Sequence, residues 1–221
     1  MNRKTGTALL FSLILGISLT TSGKELTSLI APYDEWYFNF FYPYALPAKV
    51  TYVELLDTGA YFYQYRAPDG TISSSETKGT WRNDLFAGRS PFNKAKNPPQ
   101  FIRFCWDSII DKKLYETRIT FSGEVWKMML TPYTLTRYPD EIMYHRFMLI
   151  GLAPEGKVRV WLEDYNEANI LITGEKVILI ETVSGDQLDL CKGKTIYKDD
   201  YQYSRRTLDF IKDKKYPYGE W

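Results

Sequence analysis

A single histidine, His145, supplies all the imidazole in 221 residues, and only two cysteines, Cys105 and Cys191, accompany it. A structural zinc site draws on clusters of these residue types, and neither C-x-x-C nor paired-histidine spacing is available here. A nucleophile elbow of the G-x-S-x-G type is also missing, so His145 has no triad serine displayed for it in the familiar way. The phosphate-binding P-loop, the dinucleotide-binding glycine pattern and the calcium loop are absent as well. Nothing in the chain calls for a cofactor or a metal. Charge of one sign is lacking too. There are 28 Lys and Arg against 27 Asp and Glu, which leaves +1 and excludes the basic footprint of a nucleic-acid-binding protein. No repeat, low-complexity tract or linker divides the chain, and 44% hydrophobic content is enough for one domain with a sizeable core.

The longest apolar run is short. Residues 8–19 (ALLFSLILGISL) follow the positive Met1-Asn2-Arg3-Lys4 and precede the small residues Thr20-Thr21-Ser22-Gly23. A comfortable membrane span needs about 20 apolar residues. The layout is that of a secretory signal peptide over 1–23, cut after Gly23, with export to the periplasm or cell envelope. Membrane anchoring would follow only if this segment stayed uncleaved. A lipid-attachment cysteine should stand beside the small residues, but positions 20–25 read TTSGKE. In an oxidising compartment Cys105 and Cys191 can form a disulfide. Cys105 lies in the apolar run FIRFCW, where a buried free thiol fits equally well.

What the chain does have is aromatic residues, 16% of the total, including 18 tyrosines and 6 tryptophans. These residues favour strands, and they also favour recognition surfaces. The most ordered pattern spans residues 143–163 (MYHRFMLIGLAPEGKVRVWLE). Phe147, Leu149 and Gly151 share one face of a strand that carries Met148, Ile150 and Leu152 on the other. Val158, Val160 and Leu162 alternate with Lys157, Arg159 and Trp161. Between them Ala153-Pro154-Glu155-Gly156 predicts a type I turn, with proline at its second position. This reads as a β-hairpin at the centre of a sheet.

Around it the periodicity predicts strands over 36–42, 49–56 and 60–66, the latter two forming a hairpin. Residues 71–99 are rich in Gly, Pro, Asn and Ser. They read as a long surface excursion holding a short strand near 77–81, either a binding loop or a mobile one. Strands over 100–107 and 114–121 lead to Ser122, an N-cap for a helix over 124–131 that pairs Val125 with Met129. Residues 170–172 and 176–183 predict another strand pair. The tail can form a helix over 204–212 with Tyr201, Leu208 and Ile211 as its stripe. Lys212, Lys214 and Lys215 then make a solvated face, and the aromatic terminus docks on the body. The expected fold is mainly β (α+β): a single domain over 24–221 containing an antiparallel sheet or sandwich, one short helix and this optional second one.

Candidate chemistry is thin. His145 on a strand between Tyr144 and Arg146 reads as structural. Ser75-Glu76-Thr77-Lys78 matches S-x-x-K but lacks its K-T-G and S-D-N companions. Adjacent acids such as Glu163-Asp164 and Asp199-Asp200 are ordinary surface chemistry.

Trp36 with its aromatic neighbours, the tract WDSIIDKKLY (106–115), and Ile150-Gly151-Leu152-Ala153-Pro154 through Trp161-Leu162 together carry a resemblance. The chain resembles the bacterial envelope family catalogued as domain of unknown function 2931, described as lipoproteins of Gram-negative bacteria. The resemblance covers nearly all of the chain after the leader. It implies that Gly151, Pro154, Gly156 and Trp161 are markers of the fold rather than a catalytic site. The resemblance leads one to expect Gly-Gly after the turn proline where this chain has Glu155-Gly156, and the acylated cysteine is missing. The expected role is an exported, non-enzymatic binding or inhibitor protein. The partner would be another protein, such as a secreted antibacterial effector against which the chain gives immunity, or an envelope protein. The alternatives are a structural envelope component and an envelope hydrolase using carboxylates that the sequence does not single out.

Overall fold

The computed structural model describes residues 29–174, 177–198 and 200–221. The leader over 1–23 therefore lies outside the described residues. The chain enters β1 (Trp36–Pro43), turns into the long β2 (Ala48–Asp57) and returns as β3 (Phe62–Tyr65). Short strands β4 (Ile72–Ser74) and β5 (Lys94–Ala95) bracket residues 75–93. The hairpin β6 (Pro99–Ser108) and β7 (Lys113–Phe121) follows, then helix α1 (Gly123–Leu130) and the small ladder of β8 (Tyr133–Thr134) with β9 (Ile142–Met143). The expected hairpin is β10 (Phe147–Ala153) with β11 (Lys157–Leu162). After it come β12 (Ile170–Leu171), β13 (Ile178–Ser184) and helix α2 (Arg205–Ile211).

These strands make a sandwich. One sheet runs β12-β11-β10-β1-β4, with β5 also on β1, and the other runs β13-β7-β6-β2-β3. The second sheet is antiparallel throughout, whereas the first is mixed, because β1 pairs in parallel with both β10 and β4. Between the sheets Trp36, Phe38 and Phe40 of β1 and Met148, Ile150 and Leu152 of β10 meet Val53, Ile102, Phe104 and Ile119. The rings of Phe40 and Phe104 lie 4.9 Å apart, centroid to centroid. Ser122 caps α1 by accepting from the Glu124 N–H, and Val125 and Met129 are buried as their spacing requires.

β10 is the middle strand of the order β12-β11-β10-β1-β4, and both of its faces are apolar because both are covered. Trp81, Leu85 and Ala87 pack on its outer face with Phe41, Leu149, Ala153 and Trp161. Residues 71–99 do run over the surface, but they lie against the outer face of the sheet and bury Trp81, Leu85 and Ala87 there, and the short strand expected near 77–81 is only the bridge of Thr80 to Glu220. Apolar side chains spaced irregularly can cover a sheet face without forming a ladder. Their polar neighbours are satisfied internally: Ser90 donates to Asn39 Oδ1 at 2.6 Å, and Asn39 donates to the Gly88 carbonyl.

Gly151 is explained by this layer. A Cβ at that position would stand 2.7 Å from Trp81 Cζ2 and 3.0 Å from Trp161 Cζ3. Gly151→Ala is expected to cost about 1–3 kcal/mol by overpacking, read as a lower urea midpoint. An unchanged midpoint would show that Trp81 moves aside freely.

The hairpin turn departs from type I. Glu155 has φ 65° and ψ 19°, where a type I turn needs negative φ. Gly156 follows at φ 71°, and a Cβ there would meet Tyr115 Cε1 at 2.9 Å. Two successive left-handed residues return the chain along β11. Asp111 Oδ2 accepts the Glu155 N–H at 2.9 Å and holds it there. Glycine takes such a φ at no steric cost, which gives the expected Gly-Gly a physical basis.

Residues 170–172 and 176–183 do not pair with each other. β12 adds to β11 and β13 adds to β7, so the chain crosses from one sheet to the other between them. Residues 175 and 176, where the second of these strands was expected to begin, lie outside the described residues. On the outer face of the second sheet, Cys105 and Cys191 are joined in a disulfide and are fully buried. Glu116 Oε2 accepts the N–H groups of Asp189 and Cys191, and Asp107 accepts from Thr195 Oγ1 and the Ile196 N–H. Buried carboxylates and the bridge together clamp residues 189–196 to the sheet.

Candidate functional site

A cleft of about 760 Å³ opens between α2 and two loops. Its first wall is set by the turn after β1. Tyr44 follows Pro43, and its N–H donates to the Thr77 carbonyl at 2.9 Å. The Ser74 and Thr77 hydroxyls bond each other at 2.6 Å, fixing that loop from below. Lys78 then lies over the Tyr44 ring, its Nζ 4.8 Å from the centroid. Gly79 has φ 88°, and its carbonyl accepts the Glu220 N–H at 2.7 Å, so the C-terminal segment pins this side.

The other wall is α2. Its N-cap Ser204 accepts the Thr207 N–H, and Thr207 is the residue the helix buries. Of the stripe expected through Tyr201, Leu208 and Ile211, Leu208 is 51% exposed, while Tyr201 and Ile211 are half-buried. The helix docks instead through Thr207 and through Phe210, whose ring meets Tyr44 edge-on at 5.6 Å. Arg206 reaches over the same Tyr44 ring at 6.0 Å, and Lys214 Nζ sits 3.8 Å from the Phe210 centroid. Arg205 and Asp209 complete the lining as an exposed i,i+4 pair at 3.8 Å. Lys212 and Lys215 are exposed, as expected of a solvated face, but Lys214 turns into the cleft. The floor is thus aromatic and the rim carries four cations and one carboxylate.

A second cavity, of about 510 Å³, lies between α1 and His145. The imidazole stacks on the Tyr133 ring at 4.5 Å, and Nδ1 bonds the Glu163 carbonyl at 3.1 Å. Asp164 Oδ2 lies 3.8 Å from Nε2. Glu163 is not surface chemistry: it is 3% exposed, Oε2 accepts the Ala87 N–H, and Oε1 has no partner. Burial pushes its carboxyl up to about 7. Burial likewise pushes the Tyr133 and Tyr165 hydroxyls up to about 12. The second half of the other acidic pair, Asp200, is described, but Asp199 lies outside the described residues.

The residues singled out from the sequence occupy structural places. Cys105 and Cys191 clamp the outer segment. Gly151 and Trp161 seat Trp81, and the Trp161 indole N–H donates to Asn83 Oδ1 at 3.0 Å. Pro154 is buried in the turn, and Gly156 edges a cleft of about 470 Å³ beside β13. None of them lines the α2 cleft. Ser75 and Lys78 share a turn, not a helix, and Lys78 faces Tyr44. Among the described residues, no cluster of three His, Cys, Asp or Glu side chains is arranged to hold a metal, and no helix is long and apolar enough to cross a membrane.

The sequence profile of the family described as "Protein of unknown function (DUF2931)" matches residues 20–219. No curated protein and no solved structure matches the chain.

Proposed function

The chain belongs to the DUF2931 family, and we propose that it is an exported envelope protein whose work is contact. It binds and neutralises another protein, in the manner of an immunity protein against a secreted antibacterial effector. The observation that carries this reading is the α2 cleft. Arginine and tyrosine are the residues that concentrate binding energy at protein interfaces, and here they converge on an open aromatic floor. The leader read from residues 1–23 supports a location where such a partner would arrive.

Deleting the gene is expected to make the cell more sensitive to neighbours that deliver an antibacterial effector, and re-expression to restore resistance. A deletion strain as resistant as its parent, against every effector-delivering neighbour tried, would overturn the reading.

A further inference from the structure

We infer that the cleft between α2, Tyr44 and residues 78–79 is the docking site for a carboxylate-rich segment of a partner protein. The inference rests on the binding role proposed above and says what that partner presents.

Four cations face the cleft in a chain whose total charge is +1. Among the described residues, no carboxylate lies within ion-pair distance of Lys78, Arg206 or Lys214; only Arg205 has one, Asp209. Each of these three lies over a ring instead, Lys78 and Arg206 over Tyr44 and Lys214 over Phe210, and Lys214 also donates to the Phe210 carbonyl at 2.5 Å. A ring face attracts a cation but does not neutralise it. The cation has given up water on one side and keeps its charge for whatever approaches from the other. The rings also fix the side chains in place, which reduces the ordering that a ligand would otherwise have to impose.

The floor beneath is rigid. Tyr44 is tied to Thr77, Phe210 meets Tyr44, and Gly79 is tied to Glu220. An opening of about 760 Å³ lined along both walls by cations suits an extended run of acidic side chains better than one compact anion. A compact phosphate site would be expected to gather backbone N–H groups around a single point. Here the charges are all on side chains, distributed over two walls. The apolar ring faces between them can receive the methylene stems of the acidic residues.

The test is binding of poly-L-glutamate to the purified protein, with inorganic phosphate and phosphatidylcholine vesicles containing phosphatidylglycerol as competing probes. Poly-L-glutamate is expected to bind and to weaken as ionic strength rises from about 0.01 M to about 0.15 M, because the Debye length falls from about 30 Å to about 8 Å. The pair Lys78→Glu/Arg206→Glu is expected to lose about tenfold or more in affinity, and Lys78→Ala/Arg206→Ala less than that. The charge-matched pair Lys49→Glu/Lys157→Glu changes exposed lysines outside the cleft and is expected to bind as the parent does. Equal losses in both charge-reversed pairs would mean that only net charge is read, and would overturn the site. Preference for phosphate or for the anionic vesicles would overturn the acidic protein segment, as would failure of poly-L-glutamate to bind. Binding at the cleft with no immunity phenotype on deletion would leave the site standing and remove the immunity role.

Discussion

Replacing Cys105 and Cys191 together by alanine is expected to lower the unfolding free energy by about 4–5 kcal/mol. The bridge closes a loop across a sequence separation of 86, and the chain-entropy relation for a loop of that length gives this figure. For a domain of this size each kcal/mol moves the thermal midpoint by about 2–4 °C, so a fall of about 8–20 °C should follow. The effect has a local part as well. The bridge holds residues 189–196 where Glu116 and Asp107 accept four hydrogen bonds from them. Without it the segment is free to lift away, which strips those bonds from buried Asp107 and leaves Glu116 only the Arg103 guanidinium at 3.8 Å. Urea denaturation of the oxidised protein and the double variant measures the difference. A loss below about 1 kcal/mol would mean that the carboxylate clamp alone fixes the segment.

The second large effect is a pH dependence centred on Glu163. Its folded carboxyl titrates at about 7 against an ordinary value of 4.5, so the fold favours the protonated form. That stabilisation is complete below the unfolded value. Between about 4.5 and 7 the unfolded chain releases its proton while the folded chain keeps it, and stability falls across this window. Above about 7 both forms are ionised and the loss is complete. At 1.36 kcal/mol for each pH unit of separation the total is about 3 kcal/mol. Glu163→Gln keeps a neutral group that can still accept the Ala87 N–H, so its stability should be nearly flat over the same window and should exceed the parent's at pH about 8. The informative quantity is the difference between parent and variant urea midpoints across that range, since other carboxylates affect both alike. Parallel curves would show that Glu163 is not held protonated.

How far the sequence foretold this molecule depended on where periodicity exists. β11 could be read because its alternation survives, β10 because its apolar run stops at the Pro154 turn, and α1 because Ser122, Val125 and Met129 stand at helical spacing. The cover over β10 could not be read in the same way. Trp81, Leu85 and Ala87 lie in irregular backbone, and no period distinguishes such a segment from a solvent loop. The clue was β10 itself: a strand apolar on both faces needs something on each. Residues 170–172 and 176–183 are close in sequence and both apolar, which suggests a hairpin, but neighbouring strands in a sandwich can belong to opposite sheets. In FIRFCWD the outward positions Arg103, Cys105 and Asp107 alternate with Ile102, Phe104 and Trp106, so the pattern marked an outer face but not what lies on it.

The α2 cleft was invisible for a different reason. Tyr44, Lys78 and Arg206 are far apart in the chain, and each alone is an ordinary residue. Only the fold brings them together, and no spacing rule describes their meeting. Even the tail helix, whose position was readable from Ser204 onward, docks through Thr207 and Phe210 and leaves Leu208 in solvent.

The most direct measurement is survival in mixed culture. A strain whose own copy carries Lys78→Glu/Arg206→Glu is grown beside an effector-delivering neighbour that kills the deletion strain. With the variant folded, exported and as abundant as the parent, the account predicts that the strain dies as the deletion strain does. Survival equal to that of the parent would contradict it.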